Sequence, residues 1–200
     1  MKILILHLSD MHFTQLNNYD KEKVTMIVAA MNNHILNIKN VLVVVSGDIS
    51  FSGKKAEYII ASKFFGELKK EISKRYNIQD VKFVMVPGNH DVDYSIGEQT
   101  RADLESIEKE DLYNDKISEE LRKQRQFYNC SALFSCFNNK NLLNQKTITY
   151  DTKKIQINLI NTAVFSSKGE DQGFHYLPHR DIERLSNQNG ADYVFSVMHT

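Results

Sequence analysis

The sequence predicts an α/β protein built on a parallel sheet. Three observations carry that reading. Short β-branched runs alternate with segments of helical periodicity, each repeat is about one strand–helix–strand unit long, and the runs end at Gly or Asp rather than tapering into helix. Fully apolar strands such as "VLVVVSGD" mark a sheet covered on both faces, and right-handed crossovers then fix the order of connection.

Taken in order, Lys2 to Leu8 is a buried strand, short, apolar and followed by polar residues. From Asp20 to about Ile38 apolar residues recur at helical spacing: Val24, Ile27, Val28, Met31, Ile35 and Ile38. Val41 onward is the second strand. Lys54 to about Tyr76 is the next helix, with Ile59, Ile60, Phe64, Leu68 and Ile72 on one face. The run "VKFVMVPGN" closes a third strand. Between about 95 and 145 the pattern becomes helical and highly charged, in two blocks. The first, "ADLESIEKEDLYND", reads as a solvated helix or arm. The second carries Leu121, Phe127, Tyr128, Leu133, Phe134 and Phe137, enough to dock onto the body. We read this stretch as a helical insertion within a single domain spanning 1–200. "KTITYD" and "KKIQINLINTAVF" then form an antiparallel hairpin. A short helix begins behind Pro178, and "ADYVFSVMHT" is a last strand.

Composition narrows the class of function. The chain has 42% hydrophobic and 25% charged residues, which suits a globular domain with a real core. Lys+Arg 25 balance Asp+Glu 25, so global charge makes no case for nucleic acid or a membrane surface. No apolar run reaches the length of a membrane span or a signal-peptide core, and a cytoplasmic protein is expected. Cys130 and Cys136 sit close together in a helical stretch, frame no zinc or disulfide pattern, and read as reduced thiols.

Four strands release polar clusters at their ends. The first is followed by Asp10 and His12, the second by Asp48, the third by Asn89, His90 and Asp91, and the last by His199. Each cluster alone suits a turn or cap. Recurrence after successive strands does not, because parallel strands put these ends on one rim, where open α/β sheets place ligands. Asp, Asn and His together make a mixed oxygen and nitrogen donor set suited to Mn²⁺, Fe or Zn²⁺. His7, His34, His175 and His179 are read as structural, and Asp93 and Tyr94 as neighbours of the third cluster.

"DMH", "GDIS", "GNHD" and the terminal "MH", in that order, resemble the calcineurin-like metallophosphoesterase superfamily. The wording "GDISFSGKKAEY" and "VPGNHDVD" is similar to such domains at the amino end of larger bacterial proteins. The resemblance covers Ile3 to His199 apart from the insertion. It implies a β-sandwich flanked by helices (α/β/β/α) and two divalent metal ions. Asp10 and His12 would bind the first ion, Asn89 and His199 the second, and Asp48 both. His90 would face the phosphate as the catalytic group, and Asp91 would hold the His90 ring. The expected activity is hydrolysis of a phosphate mono- or diester by a water that the two ions activate.

A nuclease of the same superfamily and a non-catalytic nucleotide-sensing or docking module are the competing readings. Nucleic acid is not favoured as a partner, since the insertion has an acidic excess near "ESIEKEDLYND". The superfamily's final Gly-His-x-His does not occur before Thr200, and Met198-His199 stands for its first Gly-His. The sequence therefore reads as C-terminally truncated, with further C-terminal domains of a parent protein as partners. Weak metal affinity and little turnover are expected of these residues alone.

Overall fold

The computed structural model describes residues 2–16, 21–96, 113–136, 141–166, 177–187 and 189–199. Two three-stranded sheets organise them. In the first, β1 (Ile3–Leu8), β2 (Asn40–Ser46) and β3 (Asp80–Val86) run parallel in the order β1-β2-β3. In the second, β4 (Leu143–Tyr150) and β5 (Lys153–Ile160) form the expected antiparallel hairpin, and β6 (Tyr193–Val197) joins β5 in parallel.

Side-chain alternation on the first sheet explains its continuous apolar strands. Val41, Val43 and Val45 of β2, with Val81, Phe83 and Met85 of β3, face the helices and share one core with them. Leu42 with Val84 and Val86 points the other way and packs on Ile148, Tyr150, Ile155, Ile157 and Leu159 of the second sheet. The two sheets therefore stack as a sandwich. Helices α1 (Lys21–Ala30) and α2 (Lys55–Tyr76) cover the outer face of the first sheet. A short helix, α5 (His179–Leu185), lies against the second, where the Gln145 amide donates to the carbonyl oxygens of Arg184 and Asn187. This is the α/β/β/α layering of the calcineurin-like fold. Among the described residues, no helix is long and apolar enough to cross a membrane.

Three elements differ from the sequence reading. α1 ends at Ala30 rather than near Ile38, and turns carry the chain onward. Asn32, Asn33 and Asn37 weaken helix in this stretch, and Asn37 takes a left-handed φ of 62°. Met31 and Ile35 still reach the core from the turns. On α2 the buried face is Tyr58, Ala61, Phe64, Phe65, Leu68 and Ile72, whereas Ile59 is 62% exposed. Five residues before Phe64, Ile59 lies about 140° around the helix from it. In the insertion, the first charged block falls outside the described residues apart from its end. The second forms α3 (Tyr113–Leu121) and α4 (Arg125–Ala132), joined by a 3₁₀ turn. Leu121, Phe127 and Tyr128 are buried and Phe134 packs against Phe65 and Phe83, but Leu133 faces solvent. Phe137 is outside the described residues.

A buried amide network ties α4 to the end of β5. The Asn161 side-chain amide donates to Gln124 Oε1 (2.7 Å) and to the Tyr128 hydroxyl (2.8 Å). The insertion is thus locked to the sheet by polar as well as apolar contacts.

Candidate metal centre

The carboxyl ends of β1, β2, β3 and β6 gather at one edge of the sandwich. His199 arrives from the second sheet, so both sheets build the rim. Beyond β1 and β2 the chain keeps pairing after the strands end. Asp10 N–H donates to the Gly47 carbonyl (3.3 Å), His12 N–H to Asp48 (3.0 Å) and Phe13 N–H to Ile49 (2.9 Å), with Phe51 N–H returning to Phe13 (3.1 Å). Within this zipped pair of loops Asp10, His12 and Asp48 all take positive φ, at 54°, 43° and 52°. Non-glycine residues adopt such values at a cost, and strain of this kind collects at functional sites.

The donor atoms form two groups that share Asp48. In each of His12, Asp48, His90 and Asp10, Asp48, His199, one ligand atom per residue lies within 4.8 Å of the others. Asp48 Oδ2 is 3.6 Å from His12 Nε2, and Oδ1 is 3.4 Å from His199 Nε2. Asn89 Oδ1 stands 3.2 Å from the same His199 nitrogen. The structure thus brings together Asp10, His12, Asp48, Asn89, His90 and His199. His199 Nδ1 faces the Ser46 carbonyl (2.8 Å), which leaves Nε2 directed at Asn89 and Asp48.

Two glycines make the convergence possible. A Cβ on Gly88 would sit 2.1 Å from Asp48 Oδ1, and one on Gly47 2.5 Å from His199 Nδ1. Both backbones are pressed against donor side chains, so the Gly of "GD" and the Gly of "GN" are steric requirements of the centre.

Charge is arranged accordingly. Burial pushes Asp48 up, but the His199 hydrogen bond, the His90 N–H (3.0 Å) and nearby positive charge bring it below the usual carboxylate value. Burial lowers His199, yet its contacts with Asp48, the Ser46 carbonyl and Asp10 leave it raised overall. An imidazolium cannot ligate, so a cation entering here displaces that proton. Two carboxylates, an amide oxygen and imidazole nitrogens suit Mn²⁺, Fe or Zn²⁺. The residues present fit divalent cations, and the two donor groups have Asp48 in common. The same distances place His90 beside the His12 and Asp48 donors, although the family pattern gives it to substrate.

Asp91 does something other than expected. The structure joins the His90 ring to the Phe51 carbonyl through Nδ1 (2.8 Å), not to Asp91. The Asp91 carboxylate is fully buried. It accepts from the main-chain N–H groups of Ser50 (2.9 Å), Gly88 (2.9 Å) and Ile49 (3.2 Å), and from the hydroxyls of Ser50 (3.0 Å) and Tyr58 (2.5 Å). Its backbone position immediately after His90 points the side chain back into the body, where unpaired N–H groups require an acceptor. Asp91 therefore clasps the second and third loops together.

Of the other sequence candidates, His7 bonds the Ser46 hydroxyl (2.7 Å) at an exposed position, and His34 and His179 are exposed. His175 lies outside the described residues. Tyr94 donates to the Asn89 carbonyl (3.0 Å). Asp93 pairs with Lys54 and accepts from Ser95 N–H (3.0 Å), which fixes the chain beyond the third loop. Partial burial raises Asp93, but these partners bring it below its ordinary 3.8. A lowered folded-state value means stabilisation present above the unfolded value and lost as pH falls through the folded one. Asp93→Asn should therefore lower the urea midpoint at pH 6, and the gap from wild type should close towards pH 3. A gap unchanged over that range would exclude this ion pair as its source.

Sequence reading missed Phe51, whose carbonyl holds His90 and whose ring is 54% exposed beside the centre. It also missed a cleft of about 560 Å³ leaving the Asp10 and His199 side between the sheets, bordered by Ile5, Val44, Phe195 and Met198. The cleft depends on which strands face each other, which no local pattern encodes.

The fold and this rim define a phosphoesterase of the calcineurin-like type. The family of calcineurin-like phosphoesterases matches residues 3–200, and the chain belongs to it. No curated protein matches the sequence.

Proposed function

We propose that this chain is a metal-dependent phosphoesterase that hydrolyses a phosphate mono- or diester at a centre holding two divalent cations, Mn²⁺, Fe or Zn²⁺. The observation that carries the reading is the pair of donor groups hinged on one carboxylate, Asp48. His12 would hold one ion and Asn89 with His199 the other; Asp10, which the resemblance pairs with His12, lies with the Asp48 and His199 donors. Cations so held neutralise charge on phosphoryl oxygens and lower the pKa of water to roughly 7.

The chain's own groups supply the remainder. His90 N–H fixes the Asp48 carboxylate, so the shared ligand is oriented by the loop that carries the catalytic imidazole. With Nδ1–H donating to Phe51, His90 presents Nε2 to the substrate side, where its protonated form would donate to the leaving oxygen. Family membership makes hydrolysis of phosphoester bonds the activity to test. Metal-loaded protein should release p-nitrophenolate from bis(p-nitrophenyl) phosphate or p-nitrophenyl phosphate, at the low rate expected of residues 1–200 alone, and a chelator should abolish release. Silence on both esters with every metal would refute the reading.

His90→Gln separates chemistry from ligation. Turnover should drop about 10²–10⁴-fold, the usual worth of a positioned general acid. Metal content measured by mass spectrometry should stay at the wild-type ratio. Loss of one equivalent would instead make His90 a ligand.

A further inference from the structure

Three rings surround the outer side of the centre. The His12 and His90 centroids are 4.6 Å apart, Phe51 lies 5.6 Å from His90 and 6.3 Å from His12. All three separations fall within the range in which aromatic rings attract one another edge-to-face or offset. Phe51 belongs to neither hydrophobic core cluster and is 54% exposed. Exposed apolar side chains are common on this surface, and what distinguishes Phe51 is that its ring adjoins the His12 and His90 rings of the centre. Its main chain, by contrast, is held on both sides: N–H to the Phe13 carbonyl (3.1 Å) and C=O to His90 Nδ1 (2.8 Å). The backbone that carries the ring is therefore fixed, and the ring itself rests beside His12 and His90. It stands beside His90 and does not line the cleft next to His199.

We propose that Phe51 is a specificity-determining platform that stacks a planar aromatic group on the leaving side of the phosphoester, an aryl ring or the base of a small nucleotide. The inference rests on the phosphoesterase reading and deepens it. If His90 serves the leaving oxygen, whatever that oxygen carries extends past His90 and meets the Phe51 ring. A polymer-binding groove needs a series of stacking rings along a basic track. Among the described residues a single phenylalanine adjoins two histidines here, which favours a small ester over a nucleic-acid strand.

The His90 anchor is a main-chain oxygen, so replacing the Phe51 side chain removes the ring and leaves the anchor. Metal-loaded full-length chain hydrolysing bis(p-nitrophenyl) phosphate would be inhibited with phenylphosphonate, cyclohexylphosphonate and inorganic phosphate. These ligands share an anionic head and differ in planarity. Wild type should favour the phenyl over the cyclohexyl compound by about fivefold, the scale of one aromatic pair. Phe51→Ala should bring the two inhibition constants within about twofold of each other, Phe51→Trp should retain the preference, and inhibition by inorganic phosphate should not move. Equal melting temperatures would show that the fold is intact. Turnover with no phenyl preference in wild type, or with the preference kept in Phe51→Ala, overturns the platform and leaves the phosphoesterase standing. Preferential cleavage of single-stranded DNA, insensitive to Phe51→Ala, overturns it as well. No turnover of any ester overturns both.

Discussion

Asp48→Ala should abolish binding of both cations together and lower kcat/KM by at least about 10³-fold, since it removes the one carboxylate on which both donor groups hinge. Ligands other than Asp48 should behave differently. Asn89→Ala or His12→Ala should cost one equivalent of metal and leave the other, because each residue belongs to one side of the centre. Mass spectrometry of the loaded protein, native and substituted, makes the comparison directly. An Asp48→Ala protein that keeps two ions per chain would end the bridging assignment. The substitution should cost some stability without unfolding the chain: it places alanine at positive φ and leaves the His90 N–H without its acceptor, but it does not open the apolar core.

Why Asp48 should carry so much follows from how it is held. Its backbone stands at φ 52°, Gly88 is pressed against its Oδ1 with no room for a Cβ, and its carboxylate accepts from His90. Each feature on its own lowers stability or removes freedom. Together they place a charged group where three loops meet, within reach of His12 on one side and His199 on the other. A site so constrained is costly to maintain without a ligand, which is the physical argument that the arrangement serves cation binding.

Most of the fold could be read from strand composition, because a sheet buried on both faces demands unbroken apolar runs, and β2 and β3 have them. The donor set could be read as well, since each strand end emits its own polar cluster. What could not be read are relations set by packing. His199 follows β6 of the second sheet, and its approach to Asp48 depends on how two sheets stack. Nothing in the local sequence marks Phe51, because exposure is a property of its neighbours. Ile59 and Tyr58 are adjacent on α2, and only the helix's orientation against the sheet decides that Tyr58 is buried and Ile59 is not. Asp91 is the instructive case. Its place next to His90 suggested a local partner, whereas its five donors come from positions as much as 42 residues away.

Asp91→Ala should destabilise the protein by about 3–5 kcal/mol, because several buried donors lose their acceptor and each unsatisfied group costs about 1–3 kcal/mol. The donors of Ile49 and Ser50 belong to the loop that carries Asp48, and that of Gly88 to the loop that carries Asn89 and His90. Tyr58 adds the first turns of α2, so one carboxylate joins two loops and a helix. Asp91→Asn is the sharper test. Asparagine keeps the volume, but it offers one oxygen to donors that now occupy two, and its NH₂ either meets main-chain N–H groups or forces the Ser50 and Tyr58 hydroxyls to turn and accept. It should therefore be nearly as damaging as alanine, by chemical denaturation and by loss of metal affinity through loosened loops. If Asp91 served chiefly to orient His90, asparagine would keep the fold at wild-type stability and slow turnover alone. A denaturation midpoint for Asp91→Asn equal to that of wild type would therefore return Asp91 to the catalytic role and remove the clasp.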